Sequence, residues 1–123
     1  GKELKEEELI QSLRESCSNL VFCEIQGQYY IETGKETLPA ELVLKAYDFF
    51  EQTVELLLEQ GGSLFYRLTD MDGVLRISVN LEGVCRTESL KEKYPLLHME
   101  QEEEKEWFLA LQLSEKGGRD EIL

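Results

Sequence analysis

The sequence predicts an α+β fold, a two-layer α/β sandwich in which helices pack on one face of a mixed, mainly antiparallel sheet. Three observations support this fold class. Two segments have the apolar spacing of amphipathic helices, a turn signal separates two strand-like runs, and a last run carries large apolar residues at every second position. Helices and strands that each have one apolar face are stable when those faces pack together in layers.

The length and composition fit one globular domain, which we expect over residues 1–123. Hydrophobic residues make up 41% of the chain and charged residues 32%, enough for a core and a soluble surface. We expect the chain to be a fragment of a longer protein, because no initiator Met is present and Gly1 before Lys2 resembles a protease scar. No apolar run approaches the roughly 20 residues needed to span a bilayer.

The first helix is predicted over residues 3–17. Ile10, Leu13 and Cys17 follow the spacing i, i+3, i+7, with Leu9 beside them, and the segment begins with acidic residues, which the helix dipole favours. One face of this helix is therefore suited to burial.

The residues after this helix predict strands. SNLVFCEI, residues 18–25, is rich in residues that favour strands, Gly27 and Gln28 are expected to break the run, and YYIET, residues 29–33, resumes it as a short edge strand or loop.

The second helix is predicted over residues 39–60, with Pro39 in its first turn and Gly61 as a left-handed cap at its end. The spacing i, i+4, i+7, i+11, i+14 gives one broad apolar face and, opposite it, one polar face. The apolar face consists of Val43, Tyr47, Phe50, Val54 and Leu57, widened by Ala46, Phe49 and Leu58. The polar face consists of Glu41, Lys45, Asp48, Gln52, Glu55 and Glu59.

The second half of the chain predicts a hairpin and a final strand. SLFYRLT and VLRISVNL flank a turn at Asp72-Gly73, which is typical of an antiparallel hairpin. Residues 86–95 predict a short helical or irregular piece, and residues 96–106 a charged loop that contains His98. The last run, WFLALQL, places Trp107, Leu109, Leu111 and Leu113 on one strand face, before Gly117-Gly118 ends it.

A family resemblance rests on LPAELVLKAYDFFEQTVELLLEQGGSLFYRLTDMDGVLRISVNLEGV, residues 38–84, and on WFLALQLSEKGG, residues 107–118. The order Leu-Pro, long helix, hairpin and closing strand resembles the histidine-kinase-like ATPase (GHKL) domain of two-component sensor kinases, whose fold is shared with gyrase. The resemblance implies a signalling domain of that fold, which in the family binds ATP and magnesium.

At the functional positions that the resemblance implies, the sequence departs from the family. The long helix of the family carries Glu-x-x-x-Asn, in which the asparagine holds magnesium and the glutamate orients water or the metal ion. Alignment on the Leu-Pro pair and the hairpin places these two residues at Gln52 and Leu56, and a shift of one residue places them at Glu51 and Glu55. Neither alignment supplies both residue types.

The next motif of the family, Asp-x-Gly-x-Gly, falls on VNLEGVC, residues 79–85. Leu81 takes the place of the aspartate that in the family binds the adenine amino group, Gly83 is retained, and Cys85 replaces the second glycine. Residues 84–116 contain no glycine, although the family wraps phosphates with glycine-rich loops. An aliphatic side chain cannot accept the adenine hydrogen bond, so we expect adenine recognition to be lost.

These departures predict a catalytically inactive histidine-kinase-like ATPase domain that acts in signal transduction through protein contacts. This hypothesis expects no catalytic residue, no cofactor and no metal ion, and it expects Leu56 to help fill a closed or collapsed site. Two alternatives stay open. The first is an active sensor kinase domain with a remodelled site, which binds ATP and magnesium with Glu55 or Glu51 as metal ligand. The second is an unrelated small α+β interaction domain.

Charge and cysteine content predict the partners and the location. The net charge of -13 would repel polyanions, so we expect no nucleic acid and no direct membrane binding by this fragment. The expected partners are a protein or other domains of the same signalling protein, and a homodimer stays open. Three cysteines without a CxxC pair indicate a reducing compartment. With the resemblance, this predicts a cytoplasmic location, either free or as the cytoplasmic part of a membrane-bound sensor.

Two further segments have simple interpretations. DMDG is read as a hairpin turn, because an EF-hand with Gly73 at its sixth position would have Leu68 at its first, where a carboxylate is needed. Glu102–Glu104 beside Trp107 are read as a solvated loop before a core strand, with a partner-docking edge as the alternative. His98 has no arrangement of serine, cysteine or carboxylate around it that would make it a base.

Overall fold

In a computed structural model of the chain, residues 2–114 are described. The helices are α1 (Glu6–Leu20), α2 (Ala40–Glu55) and α3 (Glu88–Lys93), and the 3-10 helix Val21–Cys23 follows α1 directly. The strands are β1 (Glu3–Lys5), β2 (Ile25–Glu32), β3 (Thr37–Pro39), β4 (Gly62–Met71), β5 (Val74–Glu82), β6 (His98–Glu103) and β7 (Glu106–Leu113).

Five of the strands form the main sheet in the order β2-β4-β5-β7-β6. β2 runs parallel to β4, and every other neighbouring pair is antiparallel. β1 and β3 form a separate antiparallel pair beside the start of α2. The predicted α+β fold with a mixed, mainly antiparallel sheet is therefore confirmed.

The core lies between the helices and one face of the main sheet. Every second residue of the inner strands is buried on this face, as the alternation of a half-buried strand requires. These buried strand residues are Leu64, Tyr66, Leu68, Leu75, Ile77, Val79, Leu81, Leu109, Leu111 and Leu113. α2 lies directly over them, since the Phe50 and Tyr66 rings meet edge to face at 5.5 Å and the Tyr66 hydroxyl donates to the Ala46 carbonyl at 2.9 Å.

The other face of the main sheet has no helix over it within residues 2–114. α1 lies on Gly27 of the covered face, and the segment after α3 reaches the same layer, where Tyr94 meets Phe49 of α2 at 5.2 Å. Side chains on the opposite face, such as Phe65 and Phe108, are only half-buried. We call this surface the open face.

The first helix begins and ends three residues later than predicted. Residues 18–20 belong to α1, and residues 21–23 form the 3-10 helix, so the predicted strand over residues 18–25 is wrong except for Ile25, which starts β2. The apolar helical spacing in fact continues to the buried Leu20. The strand-favouring residues Val21 and Phe22 are 66% and 86% exposed, so they contribute nothing to a sheet.

Gly27 does not break the following strand, because β2 is continuous through it. A Cβ at this position would lie 2.8 Å from Leu20 Cδ1 and 3.2 Å from Cys17 Sγ. The glycine therefore allows the C-terminal end of α1 to lie directly on the sheet, which is a packing role and not a turn.

The second helix is shorter than predicted, since α2 ends at Glu55 and residues 56–60 form turns. Gly61 has the predicted left-handed backbone (φ +76°), and its amide donates to the Leu57 carbonyl at 2.8 Å. Leu57 is fully buried, but Leu58 is 49% exposed and does not widen the apolar face as expected.

The predicted charged loop over residues 96–106 is also wrong in part, because residues 98–103 form the edge strand β6 and His98 lies on it. The alternation of Trp107, Leu109, Leu111 and Leu113 on one face of the final strand is confirmed by their cross-strand partners in β5. The predicted end of that strand at Gly117-Gly118 lies outside the described residues. Among the described helices, none is both long enough and apolar enough to cross a membrane.

Candidate functional site

A cleft of about 300 Å³ lies between the C-terminal end of α2 and the segment that leads from β5 into α3. One wall consists of Gln52, Glu55, Leu56, Glu59 and Gln60, and the other of Val84, Arg86, Ser89 and Leu90. This is the place where the family resemblance puts the metal-binding motif of the long helix.

The α2 wall separates the two alignments of that motif. Gln52 and Leu56 both line the cleft and both are half-buried. Glu55 also lines it, but Glu51 faces a different groove, between α1 and α2. Both positions of the first alignment therefore lie on the cleft, and only one position of the shifted alignment does.

Leu56 lies against the hydrophobic core and supplies only carbon atoms to the cleft. The Leu56 side chain occupies part of the space between the two walls, and the cleft extends beside this side chain. The expectation of a closed or collapsed site stays a prediction, because Leu56 borders the cleft but Leu81, the other position expected to line an open nucleotide site, is buried in the core.

The charge of the cleft is negative on balance. Its wall carries the carboxylates of Glu55, the last residue of α2, and of Glu59 in the turns that follow, and a single guanidinium, that of Arg86. All three residues are exposed, so solvent and salt screen these charges.

Leu81, at the position of the family's adenine-binding aspartate, is only 2% exposed and belongs to the core instead of the cleft wall. The retained Gly83 has a packing explanation of its own. Its φ is +154°, and a Cβ there would lie 2.8 Å from Leu57 Cδ2 and 2.9 Å from the Gly61 carbonyl oxygen. Its amide donates to the Lys105 carbonyl at 2.8 Å. The glycine is thus needed for the close approach of two chain segments, whatever the cleft binds.

Cys85 stands where the family has its second glycine. Its side chain is half-buried, and its Sγ lies 3.6 Å from the Gly83 carbonyl oxygen, to which the thiol donates weakly. Burial raises the pKa of the thiol above its ordinary value. The protonated form is therefore favoured at neutral pH, and this form is neither a strong nucleophile nor a metal ligand.

Within residues 2–114, no three His, Cys, Asp or Glu side chains gather closely enough to hold a metal ion. Arg86, Ser89 and Leu90 were not singled out from the sequence, because residues 86–95 gave no clear periodic signal. Ser89 and Leu90 reach the wall as part of α3, a helix of only six residues, and Arg86 lies in the segment that leads into it.

No protein-family model matches the sequence, and no curated protein is similar to it in sequence. Solved structures are similar in fold. The nucleotide-free catalytic domain of histidine kinase ThkA aligns with a TM-score of 0.62 and 14% identity, over 92% of this chain and 94% of that domain. Histidine kinase AdeS of Acinetobacter baumannii aligns with a TM-score of 0.60 and 4% identity, over 92% of this chain and 66% of that one.

A third structure, ThkA in complex with the response regulator protein TrrA, aligns with a TM-score of 0.58 and 15% identity. The match covers 90% of this chain and 40% of the ThkA chain. The chain therefore has the fold of histidine kinase catalytic domains, and the resemblance noted in the sequence is confirmed for the fold.

Proposed function

We propose that this chain is a histidine-kinase-fold domain that acts in signal transduction through protein contacts and does not transfer phosphoryl groups. The observation that carries the proposal is the α2 wall of the cleft. It presents Leu56, between the carboxylates of Glu55 and Glu59, at the place where the resemblance puts a magnesium-binding asparagine.

The residues present do not fit magnesium and ATP. Magnesium requires oxygen ligands in near-octahedral geometry, and Leu56 supplies none. The polyphosphate of ATP would approach two carboxylates with only Arg86 to offset them. Leu81, which is buried and aliphatic, offers no acceptor to the adenine amino group. We therefore derive no chemical step through a nucleotide.

An active kinase domain with a remodelled site is the second candidate. Glu55 and Glu59 favour it, because two carboxylates on one wall are suitable ligands for a divalent cation. If nucleotide turnover were found, Glu55→Ala should abolish it, and Glu51→Ala is the matched control, because Glu51 lines the groove between α1 and α2 and does not line the cleft. The third candidate, an unrelated small α+β domain, receives no support from a fold shared with histidine kinases.

The proposed partners are a protein or other domains of the same signalling protein. ThkA, which has this fold, is seen in complex with a response regulator protein. We also propose a cytoplasmic location, free or as the cytoplasmic part of a membrane-bound sensor, and we keep a homodimer as an arrangement to be tested.

Isothermal titration calorimetry with ATP and magnesium tests the proposal. The cleft has no metal-binding side chain at Leu56, so we expect no saturable heat up to millimolar nucleotide. Binding in the micromolar range would contradict the proposal and favour the remodelled kinase domain.

A further inference from the structure

One end of the main sheet carries three carboxylates in a line. Glu82 of β5 lies directly opposite Glu106 of β7, and Glu106 lies directly opposite Glu103 of β6. All three side chains are exposed. We call Glu82, Glu106 and Glu103 the carboxylate row.

The carboxylate row works against the stability of the sheet. Like charges directly opposite each other in antiparallel strands are destabilising. Lys35–Asp70, Lys45–Glu41 and Lys93–Asp48 form ion pairs within residues 2–114, His98 Nε2 lies 3.0 Å from Glu100 Oε1, and none of these pairs includes a member of the row. A sequence that breaks a local rule in this way most often does so at a functional site.

A cavity of about 340 Å³ adjoins the carboxylate row on the open face. Its walls consist of the side chains of Gln26, Gln28, Ser63, Phe65, Asn80, Glu82, Glu102 and Glu106. Its floor is the main chain of Leu64, Leu81 and Trp107, because strand alternation directs these three side chains to the other face.

The walls of this cavity offer hydrogen-bond acceptors in excess and no cation. Glu82, Glu102 and Glu106 supply three carboxylates, and the cavity is lined by no Lys or Arg. Carboxylates accept hydrogen bonds and donate none, so they suit a guanidinium or ammonium group, which only donates.

In the described part of the chain, two cations lie near the cavity: Lys105, in the turn between Glu103 and Glu106, forms no ion pair with either carboxylate, and Arg67 is already engaged. The Arg67 guanidinium lies 5.2 Å from the centre of the Phe65 ring and donates to Ser78 Oγ at 3.1 Å and to Asn80 Oδ1 at 2.9 Å. It forms no ion pair with a residue of the carboxylate row. The negative charge of the cavity therefore stays available to a cation from outside.

We propose that the cavity and the carboxylate row bind a basic segment of a protein partner, with an Arg or Lys side chain in the cavity. The half-buried rings of Phe65 and Phe108 on the open face provide apolar area for the rest of such a segment. The inference rests on the part of the proposed function that concerns protein contacts, and it does not depend on the nucleotide cleft. It extends the docking edge considered for Glu102–Glu104 to carboxylates on three strands.

The test uses fluorescence anisotropy with a labelled hexapeptide of alternating Arg and Ser and the full 123-residue chain. The same peptide with citrulline in place of Arg keeps the shape and removes the charge. We expect the Arg peptide to bind, with an affinity that falls as salt rises, and the citrulline peptide not to bind. Equal binding of the two peptides would overturn the proposal.

The variant Glu82→Gln/Glu106→Gln removes two charges without changing side-chain size. We expect about a tenfold loss of affinity for the Arg peptide. The matched control Glu7→Gln/Glu92→Gln changes the net charge equally at exposed positions on α1 and α3, and its affinity should not change. If both variants lost the same affinity, the peptide would be attracted by the net charge of the whole chain. That result would contradict a binding site at the carboxylate row.

The free protein gives a second readout. Because Glu82→Gln/Glu106→Gln relieves the opposition of like charges, its melting temperature should rise above that of the unchanged chain, and this rise also shows that the variant folds. An unchanged or lower melting temperature would show that the like charges of the carboxylate row do not destabilise the sheet, and would contradict its functional interpretation.

Spermine that binds as tightly as the peptide, with the same dependence on Glu82 and Glu106, would overturn the assignment to a protein segment. Calorimetry with ATP and magnesium is independent of these outcomes, so the two proposals fail separately.

Discussion

Leu56 is the residue on which the proposed absence of nucleotide chemistry most depends. Its side chain lies against the core and also borders the cleft, so it supports packing where a magnesium ligand would be needed. Glu55, at the end of α2, and Glu59, in the turns that follow it, are both exposed on the wall of the cleft. Gln52 and Leu56 both lie on the cleft, which agrees with the alignment on the Leu-Pro pair. The sequence alone could not decide between this alignment and the one shifted by one residue, Glu51 and Glu55.

Gly83 provides a prediction at the same scale. In Gly83→Ala the new Cβ would meet Leu57 Cδ2 and the Gly61 carbonyl oxygen in a backbone conformation with φ +154°. We expect the free energy of unfolding to fall by about 2–4 kcal/mol. Urea denaturation followed by circular dichroism measures this change.

Gly34→Ala is the control for Gly83→Ala. Gly34 also has a positive φ, +73°, but nothing lies within 4 Å of a Cβ built there. This variant should lose only about 1 kcal/mol, the cost of the left-handed backbone. Equal losses in the two variants would contradict a packing role for Gly83.

At the scale of elements, the sequence predicts those whose period is strong. α2 and the β4–β5 hairpin each bury one clear face; the hairpin is found close to its predicted bounds, and α2 begins as predicted but ends at Glu55 instead of residue 60. β6 gave no signal because HMEQEE lies at the edge of the sheet with nearly every side chain in solvent, so no apolar alternation is selected. The end of α1 was misread because Val21 and Phe22 have strand propensity that tertiary structure overrides.

The carboxylate of Glu6 connects the start of α1 to the residue that follows β2. Glu6, in the first turn of α1, accepts hydrogen bonds from the amide of the buried Thr33 at 2.8 Å and from its hydroxyl. We expect Glu6→Ala to lower the free energy of unfolding by about 1–3 kcal/mol, because it leaves a buried donor without its partner. Urea denaturation checks this loss.

Glu7→Ala is the matched control, since Glu7 is exposed in the same helical turn. It should change the free energy of unfolding by no more than about 0.5 kcal/mol. If the two variants lost the same amount, the bonds to Thr33 would not be what joins α1 to the end of β2.

At the scale of the whole molecule, this chain keeps a histidine kinase fold at 14% sequence identity to the ThkA catalytic domain. A pattern of buried positions is enough to specify such a fold, and this pattern could be read from the sequence. The cleft beside α2 and the cavity on the open face could not be read from the sequence. Arg86 and Ser89 lie beside the end of α2 only in the folded chain. The carboxylate row depends on the pairing of three strands. Register between strands is a property of the sheet and not of any one segment.

We propose that this domain has the histidine kinase fold and does not bind nucleotide. Two-dimensional NMR of the isotope-labelled chain, titrated with ATP and magnesium to millimolar concentration, tests it most directly because weak binding is also detected. We predict that the amide signals of Leu56, Glu59 and Arg86 do not shift in a saturable way. Saturable shifts confined to these residues and their neighbours in the cleft would contradict the claim.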